Sequence, residues 1–219
     1  ALTLAGILLL GFLLRIYKLA APSLWHDELM TYARLQGSLG DTIHTLFVSP
    51  FPPFYYIFMK AWTTIFGFSE FSLRFPSVLF STLTIYYVFL LTKKITNNQT
   101  TALIASFLLA IFTFAINYAQ EAKMYAMLWC FAVASWYYFL EYMKRPSTKN
   151  TWYYTLTTLA LVYTLYLGWL FLLTQLICFF LYPQKKPIRQ FKRSLLIIVL
   201  AYLPWAYWAL SNIISKSGI

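Results

Sequence analysis

Two carboxylates stand side by side in "SLWHDELMTY" (Ser23–Tyr32): Asp27 and Glu28, in a chain that has only six acidic residues. A carboxylate beside a membrane can act as a general base, taking a proton from an attacking hydroxyl. On a helix, neighbours point about 100° apart. One acid would then act on substrate while the other supports it or caps the helix. The competing reading is two acids in the first turn of an interfacial helix, favoured by its dipole; the pair alone does not choose between them. A second cluster is "NYAQEAKMY" (Asn117–Tyr125). There Glu121 and Tyr125 are spaced to share a helix face, while Lys123 points elsewhere unless a helix begins between them. The lysine suits a phosphate and the acid an acceptor, against a snorkelling Lys and an interfacial Tyr. A third is "SEFSLRFPS" (Ser69–Ser77), where Arg74 enters the bilayer. Arginine pairs well with lipid phosphate oxygens, though it also anchors to head groups in general. His26 and His44 lack the spacing of zinc ligands and read as hydrogen-bonding or structural. No GxxxxGK[ST], HExxH or CxxC is present, so no cofactor is indicated, and participation of a divalent metal stays open.

The elements that must hold these residues are apolar. Of 219 residues 61% are hydrophobic, with mean hydropathy +0.65 and 21% aromatics, well above the roughly 45–50% apolar share of soluble domains. This is the composition of an all-α polytopic membrane protein. The net charge of +11 does not imply nucleic acid, because the basic residues lie mostly in short loops between apolar stretches. Cys130 and Cys178 fall inside apolar stretches and read as small core residues, not as a disulfide or metal site. With about 20 residues needed per span, spans are expected at 2–19, 75–92, 101–118, 124–142, 151–166, 168–183 and 194–211. The first lacks a basic n-region and a cleavage site, so it reads as a span and not as a signal peptide. The fifth and sixth are short and joined by "LYLGW"; they read either as tilted spans or as a tight helical hairpin. Ten basic residues collect in one set of loops (Lys93, Lys94, Lys144, Arg145, Lys149, Lys185, Lys186, Arg189, Lys192, Arg193), which places those loops and the amino end in the cytoplasm. Residues 20–74 then form the first outer loop, and five of the six acids lie outside. Within it, "FYYIFMKAWTTIF" reads as an interfacial helix started by Pro52-Pro53. Ser69 or Ser72 caps the helix after it, Asp41 caps "DTIHTLF", and Ser23 caps the helix that carries the acid pair. "NQT" at Asn98 fits the glycosylation pattern, but on the cytoplasmic side. The span middles hold no Asp, Glu, Lys, Arg or His, which weighs against an ion-coupled transporter.

The order of "SLWHDELMTY", "PFPPFYYIFMKAWTTIFGFSEFSLRFPSVLFS" and "NYAQEAKMYAM" after a first span resembles the amino-terminal half of membrane glycosyltransferases of the GT-C fold. The nearest likeness is to the protein O-mannosyltransferase and aminoarabinose-transferase-like superfamily, with its bacterial dolichyl-phosphate-mannose-protein mannosyltransferase-like members, over about residues 1–182. The resemblance implies one transmembrane domain over 1–219, a GT-C type bundle with interfacial helices in its first outer loop, lacking later spans and any carboxy-terminal outer domain. It makes Asp27 the catalytic carboxylate with Glu28 beside it, and maps Glu121, Lys123, Tyr125 and Arg74 onto substrate contacts, with His26 counted among them. The implied donor is a sugar on a polyprenyl monophosphate, the acceptor a lipid, glycan or protein, and the transfer inverting. The implied place is the inner membrane of a prokaryote with the site facing outwards. Three positions depart from the family. Phe51 replaces a basic residue before the Pro-Pro pair, Lys123 stands where Arg is common, and Leu165 where a His is common. The alternative is a transporter or flippase of lipid-linked intermediates that does no covalent chemistry; a third reading is a structural membrane subunit without activity.

Overall fold

The computed structural model describes residues 2–48, 51–181 and 187–217. Among them are eleven helices and no strand. They are α1 (Leu2–Ile16), α2 (His26–Arg34), α3 (Leu39–Val48), α4 (Phe54–Phe66), α5 (Glu70–Thr96), α6 (Gln99–Ile111), α7 (Thr113–Ala119), α8 (Tyr125–Lys144), α9 (Thr148–Thr164), α10 (Gly168–Leu181) and α11 (Ile188–Ser217). The chain is an all-α membrane protein. α5 and α11 are each long and apolar enough to cross a bilayer, and α6 with α7 qualifies as one bent pair. The remaining expected spans coincide with α1, α8, α9 and α10. Lys185 and Lys186 lie outside the described residues.

The third expected span is not one helix. It bends by 59° between α6 and α7 at Phe112, whose backbone is extended (φ −69°, ψ 109°). The break leaves carbonyls at the end of α6 without helical donors, and such groups cost about 1–3 kcal/mol each when buried unpaired. Arg15 of α1 supplies donors. Its fully buried guanidinium reaches the carbonyls of Ala110 (2.9 Å) and Leu109 (3.1 Å), that of Gly11 (2.9 Å), and Ser81 Oγ (2.8 Å). Its charge also sits at the negative end of the α6 dipole. Arg15→Leu should therefore lower stability by about 2–4 kcal/mol, read as a lower melting midpoint in detergent; an unchanged midpoint would show that water can take over these carbonyls.

Several helix starts differ from expectation. α2 begins after Trp25, not Ser23, and Glu28 Oε2 reaches back to accept from the Trp25 N–H (3.3 Å). α3 is capped by Ser38, not Asp41. Ser38 Oγ accepts from Asp41 N (3.2 Å) and Asp41 Oδ2 accepts from Ser38 N (2.7 Å), a reciprocal capping box. α4 follows Pro52-Pro53, and Ser69 rather than Ser72 caps α5. Asn98 caps α6 through the backbone N–H groups of Thr100 and Thr101. Cys130 is buried, but Cys178 is exposed on α10, so only one of the two is a core residue.

The stretch between α1 and α5 is built into the main core and does not hang from it. Leu35, just past α2, with Leu46 of α3 and Tyr55 and Met59 of α4 packs with Leu73 of α5, Met127 of α8, Val162 of α9 and Ile198 and Trp205 of α11. Lys60 of α4 donates to the carbonyls of Leu35 (2.8 Å) and Gly37, closing the carboxyl end of α2. α2 is thus held by its side chains and by both its ends. α9 and α10 form a hairpin, and a Cβ at Gly168 would lie 2.6 Å from the Leu161 carbonyl oxygen, so their junction admits no side chain there.

Candidate active site

The two neighbouring acids have opposite environments. Glu28 is fully buried. Its Oε1 accepts from Arg74 Nε (2.8 Å) and from the Ala122 N–H (2.8 Å), and its Oε2 from Arg74 Nη2 (2.6 Å) and the Trp25 N–H. Burial pushes the Glu28 carboxyl up. The hydrogen bonds from Arg74, the Ala122 N–H, the Arg74 charge and the Trp25 N–H outweigh it and hold the group below its ordinary value. Arg74 completes the arrangement by donating Nη1 to the carbonyls of Leu19 (2.9 Å) and Pro22 (2.8 Å) and Nη2 to that of Ser23 (3.1 Å).

A guanidinium has five N–H donors, and these bonds use all of them. Here the structure corrects the expectation that Arg74 holds a lipid phosphate: the side chain is 3% exposed and has no donor left to offer. Glu28 likewise has no face open to a substrate.

Asp27, one residue earlier, turns the other way. Its side chain is 45% exposed, and its nearest cation is Lys123 Nζ at 3.9 Å from Oδ2. It lines a half-open cavity of about 640 Å³ together with His26, Arg34, Phe51, Tyr56, Lys123, Tyr125, Leu165 and Tyr166. Burial pushes the Lys123 ammonium down, against the opposing pull of Asp27. Arg34 adds a second cation. It donates to Tyr56 Oη (2.7 Å), and its guanidinium lies 4.4 Å from the centre of the Phe51 ring, a cation–π contact. The sequence reading passed over Arg34, because a basic residue in a last helical turn reads as a dipole partner. The resemblance offered a pointer at position 51, where it leads one to expect a basic residue: Arg34 brings its charge onto the Phe51 ring that stands there.

The second cluster is arranged differently from the expected shared helix face. α8 starts only at Tyr125, so Glu121 and Tyr125 do not lie on one helix. Residues 120–124 form a tight connection pinned from α5, where Ser77 Oγ donates to the carbonyls of Glu121 (2.6 Å) and Lys123 (3.3 Å). Lys123 and Tyr125 face the cavity, whereas Glu121 does not line it. Burial and the nearby Glu28 carboxylate push the Glu121 carboxyl up. His26 is exposed at the cavity wall, and His44 is exposed on α3, away from it. Among the described residues no three His, Cys, Asp or Glu side chains come together as metal ligands would. Of the sequence-derived set, the cavity gathers His26, Asp27, Lys123 and Tyr125; Glu28 and Arg74 stand behind it.

Such a cavity can hold a phosphate against two cations and present a free carboxylate to a neutral group beside it. Comparison with known proteins bears on this. No curated protein and no solved structure matches the chain. Residues 51–208 match the family described as dolichyl-phosphate-mannose-protein mannosyltransferase. The match includes Arg74 and the 120–124 connection and begins after Asp27 and Glu28, which the Arg74 and Ala122 bonds tie to it. It covers well over half of the sequence, and the chain therefore belongs to the dolichyl-phosphate-mannose-protein mannosyltransferase family, membrane glycosyltransferases that take a lipid-linked sugar.

Proposed function

We propose that this cavity transfers a sugar from a polyprenyl-monophosphate carrier to an acceptor hydroxyl with inversion, on the outer side of the inner membrane of a prokaryote, within a GT-C type bundle. The observation that carries the reading is the partly exposed Asp27 carboxylate beside Lys123 and Arg34 in a largely aromatic and aliphatic cavity. Asp27 takes the proton of the acceptor hydroxyl as its oxygen attacks the anomeric carbon. The bond from that carbon to the phosphate oxygen breaks on the opposite face, and the electron pair leaves with the carrier phosphate. Lys123 and Arg34 balance the charge of that phosphate. Tyr125 and His26 line the sugar and acceptor side. Asp27 then gives its proton to solvent, to which it is open. Glu28 and Arg74 are positioning residues that set the direction of Asp27 and the height of Lys123. Glu121, raised in pKa and set back from the cavity, tunes the field around Lys123.

The deciding experiment is an assay of the full-length protein with radiolabelled polyprenyl-phosphate sugars and an acceptor extract. Labelled product supports the transferase; label crossing the membrane with no product formed supports a flippase instead, and donor bound with neither outcome an inactive subunit. Within the assay, Lys123→Met should raise KM for the donor by about tenfold or more, since a charge-assisted contact contributes about 1.5–3 kcal/mol. A KM equal to that of the parent would remove Lys123 from the phosphate.

A further inference from the structure

The end of the bundle opposite Asp27 carries a second charged crevice, where α5 and α8 terminate. It has a volume of about 370 Å³ and is lined by Lys93, Lys94, Asn97, Glu141, Lys144 and Arg145. Lys94 pairs with Glu141, and Lys144 Nζ donates to the Lys94 carbonyl (3.2 Å). Lys93 Nζ rests 5.7 Å from the Phe89 ring centre. None of Lys93, Lys144 and Arg145 has a carboxylate within ion-pair distance among the described residues. None can be recruited from elsewhere in this sequence: of the six acids, the other five are Asp27, Glu28, Asp41, Glu70 and Glu121, on α2, α3, the first turn of α5 and the 120–124 connection. Two helix carboxyl ends offset only about half a charge each. A charge of about +2 is left without an internal partner.

The depth of the crevice is marked by tyrosines. Tyr87 of α5, beside Tyr86, meets Tyr137 and Tyr138 of α8, with the Tyr87 and Tyr138 hydroxyls 3.4 Å apart, and Tyr138 meets Tyr153 of α9. Tyrosines gather at membrane–water interfaces. Lys93, Lys94 and Lys144 lie about two helical turns beyond them, roughly 10 Å along the axis, at the level of lipid phosphates. A bias of basic residues towards one membrane side explains charge in these loops. It does not require a walled crevice between two helices with its charges left open.

We propose that this crevice binds the phosphodiester head group of an anionic phospholipid, the chemistry that basic pockets between membrane helices recognise. The site is separate from the sugar-transfer cavity, and its occupancy does not depend on that reading. The test is native mass spectrometry of the full-length protein in detergent with equal phosphatidylglycerol and phosphatidylcholine of matched acyl chains. Phosphatidylglycerol adducts should exceed phosphatidylcholine adducts by about fivefold or more, since one basic residue near an anionic surface contributes about 1 kcal/mol. Lys93→Gln with Arg145→Gln should cut that preference by at least about fivefold, with the melting midpoint in detergent alone unchanged. If the double variant does not fold, Lys93→Gln alone should still lower it. Equal adducts of the two lipids, or a preference undiminished in the variants, would overturn the proposal. So would stabilisation by inorganic phosphate as large as that by phosphatidylglycerol, which would identify a site for a free anion.

Discussion

Asp27→Asn is expected to reduce sugar transfer by about 10²–10⁴-fold, the range a positioned general base contributes, while leaving the melting midpoint of the protein where it was. The two halves of this expectation rest on different observations. The loss follows from Asp27 being the carboxylate open to the cavity, beside the cations that would hold the leaving phosphate. The unchanged stability follows from its surroundings. The side chain is nearly half exposed, and its ion pair with Lys123 is at the outer limit of contact, 3.9 Å; exposed pairs of this kind contribute about 0–1 kcal/mol. Asn keeps the shape and loses only the base. Donor binding should survive, because Arg34 and Lys123 are untouched. Turnover within a few-fold of the parent would refute the assignment of Asp27 as the base.

Glu28→Gln, one residue away, is expected to do the reverse and act first on folding. Breaking a buried ion pair by removing one partner costs about 3–5 kcal/mol, because Arg74 would stay buried with its charge uncompensated. The neutral amide can also no longer accept all the bonds now made from Arg74, Ala122 and Trp25. Thermal melts of the two variants side by side should separate them by many degrees. Acid should reproduce part of this effect in the parent. A carboxyl held below its ordinary value in the fold contributes stability that is present above its unfolded pKa of about 4.3. That contribution is lost as pH falls through the folded value, and Glu28 is such a group. Parent stability should fall in the acid range below about pH 4.3, with the Glu28 share of that slope absent in Glu28→Gln. The same slope in both proteins would show that Glu28 is not the group that titrates.

The sequence carried much of this, and its gaps have physical causes. Helical type and approximate place were readable for α1, α4, α5 and α8–α11, because long apolar runs between charged loops leave few alternatives in a membrane. The break at Phe112 was not, since "AIFTFAINY" has neither Pro nor Gly; it is held by Arg15 from another helix, a long-range cause with no local trace. The acid pair was legible as a pair, and so was the expectation that one acid acts on substrate while the other supports it or caps the helix; the partner that buries Glu28 and so separates the two was not. That partner is Arg74, and an arginine at a helix entry looks the same in sequence whether it faces lipid phosphate or a buried carboxylate. The shared face of Glu121 and Tyr125 failed for a related reason. Residues 120–124 leave the helix because Ser77 and Glu28 hold their backbone, and neither partner is near in sequence.

The Glu28 carboxylate also fixes an order of assembly. It bonds to Arg74, 46 residues downstream, and to Ala122, 94 residues downstream. A nascent chain that has inserted α1 and α2 alone has an acid pair with no set direction. When α5 arrives, Arg74 can neutralise Glu28; only when the Ala122 amide is in place are the lysine and the aspartate brought face to face. Any truncation upstream of Ala122 would thus leave Asp27 without Lys123, so the proposed site comes together only once the 120–124 connection has been made, and before α8, α9 and α11 complete the core around it.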